Sequence, residues 1–237
     1  MNPYQKLLER KRSWTPVQGD AGKVVEGTEE TIHRALSLRH MELPVGDFIN
    51  DALNGEIPEA SRELLVSNVQ DEVKHDLALG YISNAYGVDP KAEKEALLLR
   101  EAWTSHPDHT ITKAMVAERA IFFVLLPFFR FNGDAGMRTV SADISRDEQI
   151  HVATNSLVHT ELGYNISPSL DKLRKATINW VMQPLGKSDN KYLDKQFWLA
   201  SSDRLMYEGK APELADTKAG RMPAFFEHSN VNLPQYA

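Results

Sequence analysis

One spacing of acidic and histidine side chains occurs twice in this chain, and it constrains the fold more than any other feature. In each copy a glutamate is followed thirty residues later by a second glutamate, and three residues after that by a histidine. The copies are Glu42, Glu72 and His75, and Glu118, Glu148 and His151, offset by 76 residues. Residues three apart lie on the same face of a helix. About thirty residues take a chain from the middle of one helix to the middle of an antiparallel neighbour. Each copy therefore predicts a helical hairpin with three side chains at one level.

Helix signals run through the rest of the chain, whereas strand signals are almost absent. Capping residues and prolines predict helices that begin near residues 28, 58, 90, 110, 134, 169 and 190. No linker divides these segments, so we predict one all-α domain over residues 1–209. Residues 210–237 contain proline and glycine and lose the helical periodicity, which predicts a flexible C-terminal tail.

Composition excludes several classes of function. The chain has no cysteine, so it holds neither disulfides nor a catalytic thiol. Its net charge is −6 and it lacks a long basic run, which argues against a nucleic-acid-binding face. Its longest apolar run, residues 120–129, is too short to span a bilayer, and its N-terminus lacks the apolar core of a secretory signal. We therefore expect a cytoplasmic protein that binds neither nucleic acid nor a membrane.

The two hairpins, packed together, would bring four carboxylates and two imidazoles to one point. Buried carboxylates without counter-charges are very unfavourable, and two divalent cations would neutralise them. Carboxylate and imidazole ligands suit iron or manganese. This donor set predicts a dinuclear centre of iron, manganese or both, in a four-helix bundle with its ions about 3.5–4 Å apart.

The first glutamate of the first copy is the least secure of these ligands. Pro44 lies two residues after Glu42 and is expected to kink or end the helix. Three other acidic residues compete for the role, namely Glu26, Glu29 and Glu30. Glu29 and Glu30 also fit the first turn of a helix, where their negative charges would interact favourably with the positive end of the helix dipole. Spacing alone therefore favours Glu42 without excluding the others.

Four stretches carry recognisable motifs. SRDEQIHVA contains Arg-Asp-Glu-x-x-His, and AERAIFFVLLPFF contains Glu118. The stretch from Glu42 through IPEASRELLVSNVQDEVKH contains the remaining candidate ligands, Glu72 and His75 among them. RSWTPVQGD places a tryptophan and a proline near the start of the chain. In these motifs, over about residues 10–160, the chain resembles the small, radical-generating subunit of class I ribonucleotide reductase. The resemblance implies a ferritin-like four-helix bundle with additional helices. It also implies that the metal ligands are Glu42, Glu72, His75, Glu118, Glu148 and His151.

The resemblance implies a route for electrons and two kinds of partner. His75 would bind Asp147, which would hold Trp14 and connect the metal site to a separate large subunit. The C-terminal tail would dock on that subunit, with Tyr236 as a redox relay. Phe225, Phe226 and Leu233 would be docking anchors. A homodimer is expected as well, because so small a bundle leaves apolar helix faces to cover.

One position departs from the family, and other functions compete with the reductase subunit. The family's radical tyrosine stands four residues after the first ligand histidine, where this chain has Leu79; Tyr81 lies two residues farther on. We therefore expect the oxidising equivalent to be stored on the metals. The main alternative is a self-contained oxygenase or oxidase, such as an aldehyde-deformylating oxygenase. Its substrate would need an apolar tunnel, which the aromatic run at residues 122–129 could line. Ferroxidase or iron-storage function is a third alternative.

Overall fold

The computed structural model describes residues 2–214, which form helices, turns and irregular segments without a strand. The α-helices are α1 (Pro3–Leu8), α2 (Glu29–Ser37), α3 (Glu42–Leu53), α4 (Arg62–Tyr86), α5 (Pro90–Thr104), α6 (Thr110–Ala117), α7 (Phe123–Asn132), α8 (Ala135–Glu161), α9 (Pro168–Met182) and α10 (Lys195–Glu208). A π-helical turn, Glu118–Phe122, joins α6 to α7. No helix in the described span is long and apolar enough to cross a bilayer.

Two helical hairpins form the central bundle. Helix α3 packs on α4, and the combined α6–α7 segment packs on α8. The hairpins meet where α4 contacts α8 and α3 contacts α6. Helices α4 and α8 are the longest, with 25 and 27 residues, and each therefore runs for roughly 40 Å through the molecule. This arrangement brings the start of α3 and the junction of α6 with α7 to the middles of α4 and α8. The two antiparallel hairpins are those that the repeated spacing predicts, although Glu42 and Glu118 lie at helix ends.

The remaining helices cover the bundle. Helix α2 contacts α5 and α9, α9 contacts α10, and α1 lies across α4 and α8. Helix α10 supports the π-helical turn, because Ser202 donates a hydrogen bond of 2.6 Å to the carbonyl of Ala120. Arg119 Nε in turn donates to the carbonyl of Leu205 at 2.8 Å. These bonds satisfy polar groups at the point where the regular helical pattern is interrupted.

Pro44 does not disrupt its helix, contrary to the expectation from the sequence. Helix α3 begins at Glu42, so Pro44 lies in the first turn. Backbone N–H groups in a first turn have no intrahelical partner, and a proline there removes no hydrogen bond. The proline is therefore compatible with Glu42 facing the bundle.

Three other elements differ from the sequence predictions. The helix expected from residue 58 begins at Arg62, after a 3₁₀ turn at Glu59–Ser61. The helix expected over residues 110–131 is divided by the π-helical turn. Helix α1 was not predicted; Asn2 caps it by accepting from the Gln5 backbone N–H at 2.9 Å.

Candidate metal centre

The six candidate ligands come from four elements and are buried together at one level of the bundle. Glu42 lies on α3, Glu72 and His75 on α4, Glu118 at the start of the π-helical turn, and Glu148 and His151 on α8. None of the six is more than 3% exposed. The rival acidic residues Glu26, Glu29 and Glu30 are exposed. Of the candidates that spacing left open, Glu42 alone joins the cluster.

The distances divide the carboxylates into a shared pair and an outer pair. His75 Nδ1 lies 3.7 Å from Glu42, 3.6 Å from Glu72 and 3.4 Å from Glu148. His151 Nδ1 lies 2.9 Å from Glu72, 3.8 Å from Glu118 and 3.9 Å from Glu148. Glu72 and Glu148 therefore contact both histidines, whereas Glu42 accompanies His75 and Glu118 accompanies His151. The arrangement has two halves joined by two glutamates.

Four of these residues could hold a metal ion on geometry alone. One ligand atom from each of Glu72, His75, Glu148 and His151 lies within 4.8 Å of the other three. The two imidazole rings stand face to face, with centroids 5.5 Å apart. Gly46 lets α3 approach α4 closely here, since a Cβ on Gly46 would lie 3.4 Å from the Cβ of Glu72. The helices are thus packed tightly at the level of the cluster.

Burial makes the charges of this cluster mutually dependent. Burial and the neighbouring carboxylates raise the pKa of Glu42 and of Glu118 well above the ordinary value. Burial opposes the charge of Glu72 as well, but contacts with His151 and His75 outweigh it and lower the pKa of Glu72 to about 2. Burial would lower the pKa of His151, yet its acidic neighbours raise that pKa to about 10. Protons therefore compensate the negative charge when no other cation does.

Unpaired polar atoms show that the donor set fits metal ions. Within residues 2–214, each of the six residues has at least one buried nitrogen or oxygen without a hydrogen-bond partner. These atoms are Glu42 Oε2, both carboxylate oxygens of Glu72 and of Glu148, Glu118 Oε1, and Nδ1 of His75 and of His151. Buried polar groups are rarely left unpaired. Oxygen and imidazole donors directed at one point are what a divalent cation coordinates, so the cluster fits such ions.

A chain of contacts leads outward from His75 towards the surface. His75 Nε2 lies 3.3 Å from Asp147 Oδ2, which also accepts a hydrogen bond of 2.6 Å from Trp14 Nε1. Asp147 is 1% exposed, whereas Trp14 is partly exposed. The indole and the His75 imidazole stack with centroids 6.1 Å apart. The structure thus brings together Trp14, Asp147 and His75 in the order that the family resemblance implies.

Sequence reasoning missed two buried residues that contact the cluster. Asn155 donates a hydrogen bond of 2.6 Å to Glu118 Oε2. Asp71 Oδ2 lies 3.2 Å from Nε2 of His151. A signal for Asp71 was present, because both Glu-x-x-His segments are preceded by aspartate and read Asp-Glu-x-x-His. Asn155 lies four residues after His151, and nothing in the sequence distinguished it.

Several residues named from the sequence lie away from this cluster or outside the described residues. Tyr236, Phe225, Phe226 and Leu233 all fall outside residues 2–214. Leu79 is buried on α4, and Tyr81 is partly exposed. The aromatic run after Glu118 packs as core, with Phe128 set edge-on against Trp198 at 5.3 Å.

Comparison with known proteins shows that this fold occurs in a solved structure. A crystal structure of a protein from Bacillus halodurans, described as a "putative class I ribonucleotide reductase", matches with a TM-score of 0.58. The match covers 94% of this chain and 97% of that chain, at 15% sequence identity. The two proteins share a fold. The predicted all-α, ferritin-like architecture is thereby confirmed. No family model matches the chain, and no curated protein matches it.

Proposed function

We propose that this protein is the small subunit of a class I ribonucleotide reductase. In this role it generates an oxidant and passes the oxidising equivalent to a cysteine of a separate large subunit, which reduces ribonucleotides to deoxyribonucleotides. The observation that carries the proposal is the contact chain from Trp14 through Asp147 to His75, attached to a buried set of six candidate ligands. The fold shared with the Bacillus halodurans protein supports it.

The six buried residues would hold two ions. Glu42 would act with His75 and Glu118 with His151, while Glu72 and Glu148, which contact both histidines, would serve both halves of the site. A bound pair of iron or manganese ions would supply a strong oxidant by reaction with an oxygen species. Asn155 would orient Glu118 through its hydrogen bond to Oε2, leaving Oε1 directed at the ions. Burial of all six side chains excludes bulk water from the site.

Asp147 would couple the metal centre to the surface. Its Oδ2 atom faces both Trp14 Nε1 and His75 Nε2, so one carboxylate oxygen orients the indole and the imidazole together. Oδ2 would take the indole proton when Trp14 is oxidised, since Trp14 Nε1 already donates to it. Trp14 is partly exposed, which would allow exchange of an electron with a bound partner. Docking of the tail, residues 210–237, on the large subunit would bring that partner to this face.

The alternative, a self-contained oxygenase, is less well supported. It requires a substrate tunnel, and the aromatic run at residues 122–129 that could line one is packed into the core, with Phe123 its only partly exposed member. An oxygenase has no need of an indole linked to a ligating histidine at the surface. The Trp14–Asp147 contact therefore favours transfer to a partner over chemistry on a small substrate in the bundle.

Metal binding is the first requirement of the proposal. We expect Glu118→Ala and His151→Ala to lose most of the bound metal, because each removes a buried donor. His159→Ala is the matched control, since His159 lies on the same helix and faces Thr112 instead of the cluster. Elemental analysis of the purified proteins measures the effect. Full metal content in both ligand variants would reject the site.

Turnover with the large subunit tests the function itself. We expect the metal-loaded protein to support nucleotide reduction when mixed with its large subunit, and Trp14→Phe to abolish turnover while metal content stays at the wild-type level. Trp180→Phe is the matched control, because Trp180 also donates its indole N–H to a carboxylate, that of Glu95, at 2.7 Å. Within residues 2–214, Glu95 forms no contact with a histidine that would connect it to the cluster. Absence of nucleotide reduction with wild type, or full turnover with Trp14→Phe, would contradict the proposal.

A further inference from the structure

In each of the two Asp-Glu-x-x-His segments, the aspartate contacts the histidine of the other segment. Asp71 precedes the candidate ligand Glu72 on α4, yet its Oδ2 atom lies 3.2 Å from Nε2 of His151 on α8. Asp147 on α8 lies 3.3 Å from Nε2 of His75 on α4. In both pairs Nδ1 of the histidine faces the glutamates, so the proton on Nε2 can be donated to the aspartate. The two pairs therefore cross between the longest helices of the bundle.

The outer partners of the two aspartates are different. Asp147 accepts from Trp14, whereas Asp71 forms ion pairs with Lys11 at 2.5 Å and with Lys74 at 2.6 Å. Asp71 is 4% exposed, so these ammonium groups balance its charge inside the protein. Lys11 also donates a hydrogen bond of 2.9 Å to the buried Asn68. The same N-terminal segment thus supplies an ammonium group to one half of the site and an indole to the other.

Lys74 connects the two halves. Its Nζ atom lies 2.6 Å from Asp71 Oδ1 and 4.0 Å from Asp147 Oδ2. The same ammonium group stands 5.5 Å from the centre of the Trp14 ring, a cation–π distance. Contacts on several sides therefore fix the side chains of Lys11, Asp71, Lys74 and Asp147. The Asp71 carboxylate consequently has little freedom to move.

We propose that Asp71, held by Lys11 and Lys74, is a positioning residue that fixes His151 as a metal ligand. The inference rests on the proposed metal centre. A ligating histidine that donates its other nitrogen to a carboxylate is held in one tautomer and one ring orientation, and it becomes a better donor. Asp71 gives His151 this support, as Asp147 does for His75. The Asp71 half ends in the ammonium groups of Lys11 and Lys74, which cannot be oxidised. An electron therefore has no second route to the surface through this half when Trp14 is lost.

Titration with Mn(II) tests the assignment without any measurement of turnover. We expect wild type to bind two ions per chain. Asp71→Asn should weaken one of the two sites about 10–100-fold and leave the other unchanged, the usual effect of removing such a carboxylate. Asp76→Asn is the control, because Asp76 lies on the same helix next to His75 but faces Arg39 and His40. The six-line electron paramagnetic resonance signal measures free Mn(II), and the bound fraction is the difference from the total Mn(II) added.

Histidine NMR of the Zn(II)-loaded protein identifies which half responds. In wild type we expect slowly exchanging Nε2–H signals from His75 and His151. Asp71→Asn should remove the His151 signal and keep that of His75, and Asp147→Asn should do the reverse. Asp71→Asn/Lys11→Met removes two opposite charges together and so leaves no unpaired charge at position 11. If metal binding is still weakened in this double variant, the effect is due to loss of the carboxylate and not to an unpaired lysine.

The outcomes separate this inference from the proposed function. Two unchanged Mn(II) sites in Asp71→Asn, with the His151 signal intact, would overturn the role of Asp71 while leaving the reductase proposal standing. Suppose that Asp71→Asn loses the His151 signal and Asp147→Asn loses the His75 signal, but wild type fails to support nucleotide reduction. That result would support the role of Asp71 and reject the proposed function. Failure of wild type to bind Mn(II) would reject both.

Discussion

Leu79 is the residue at which this chain departs from the family it resembles. It lies four residues after His75 on α4, on the same face of the helix, and is 7% exposed. Its side chain cannot be oxidised. Tyr81 lies six residues after His75, on another face of α4, and is partly exposed. The position that holds a radical in the family is thus closed to that chemistry here.

We therefore expect the active protein to store its oxidising equivalent on the metals and to need manganese in one or both sites. Electron paramagnetic resonance of active protein should show metal-centred signals, unchanged in Tyr81→Phe. Tyr86→Phe is the control, because Tyr86 is on the same helix and packs on His33 with centroids 4.9 Å apart. A narrow tyrosyl signal that disappears in Tyr81→Phe, together with activity, would show that Tyr81 carries the radical.

Among the elements, α5 is joined by one carboxylate to the segment that precedes Glu42. Glu93 on α5 accepts two hydrogen bonds from Arg39, at 2.6 and 2.8 Å, and one of 2.9 Å from Ser37. His40 Nε2 lies 2.7 Å from the same carboxylate. These partners come from the end of α2 and the 3₁₀ segment Leu38–Met41. Paired hydrogen bonds from arginine to a carboxylate are strong and directional, so Glu93 joins α5 to the segment that precedes Glu42.

Glu93→Gln should destabilise the protein at pH 7 by roughly 1–2 kcal/mol, an amount reduced by the partial exposure of the side chain. Burial would raise the pKa of Glu93, but Arg39, His40 and Ser37 outweigh it and lower this pKa from 4.5 to about 2. A carboxylate whose pKa is lowered on folding stabilises the folded protein at pH values above the pKa of that group in the unfolded chain. The difference between wild type and Glu93→Gln should therefore be complete above about pH 5 and disappear as the pH falls towards 2.

Urea unfolding at a series of pH values measures this effect. Glu59→Gln is the control, because Glu59 is 86% exposed and pairs with Arg62 at 3.3 Å. An exposed pair of this kind contributes little, so the control should change stability by less than about 0.5 kcal/mol. A Glu93→Gln difference that stays constant down to pH 2 would assign the effect to packing instead of charge.

At the scale of the whole molecule, the outer face of α4 carries an apolar stripe. Val66, Val73 and Leu77 are spaced by seven and four residues and are 44%, 58% and 45% exposed. Leu43 on α3 is 45% exposed as well. The opposite face of α4 carries Glu72 and His75. Apolar side chains aligned on one helix face favour burial against a partner.

We expect this stripe to form the interface of a homodimer. Sedimentation at micromolar concentration should show a dimer for wild type and a monomer for Val73→Glu/Leu77→Glu, because burying two carboxylates in an apolar interface is unfavourable. Leu98→Glu is the control, since Leu98 is 59% exposed on α5. A monomeric wild type would reject the dimer, and a dimeric double variant would place the interface elsewhere.

The sequence by itself determined the helical hairpins and five of the six candidate ligands, namely Glu72, His75, Glu118, Glu148 and His151. Helix formation is local, and a ligand spacing of three or thirty residues follows directly from helix geometry. The sequence also determined that this chain contributes no thiol of its own, because it has no cysteine. The tail residue Tyr236 stays a prediction, since it lies outside the described residues.

Only the tertiary structure decided which glutamates contact both histidines and that Asp71 contacts His151. Asp71 and His151 are separated by 80 residues, and Asp147 and His75 by 72, so their pairing depends on how α4 packs against α8. The choice of Glu42 over Glu29 depended on burial, which spacing does not reveal. The π-helical turn at Glu118 is stabilised by Ser202 and Leu205 of α10, contacts that no local pattern encodes. Long-range packing therefore arranged, around a locally encoded ligand set, the groups that orient it.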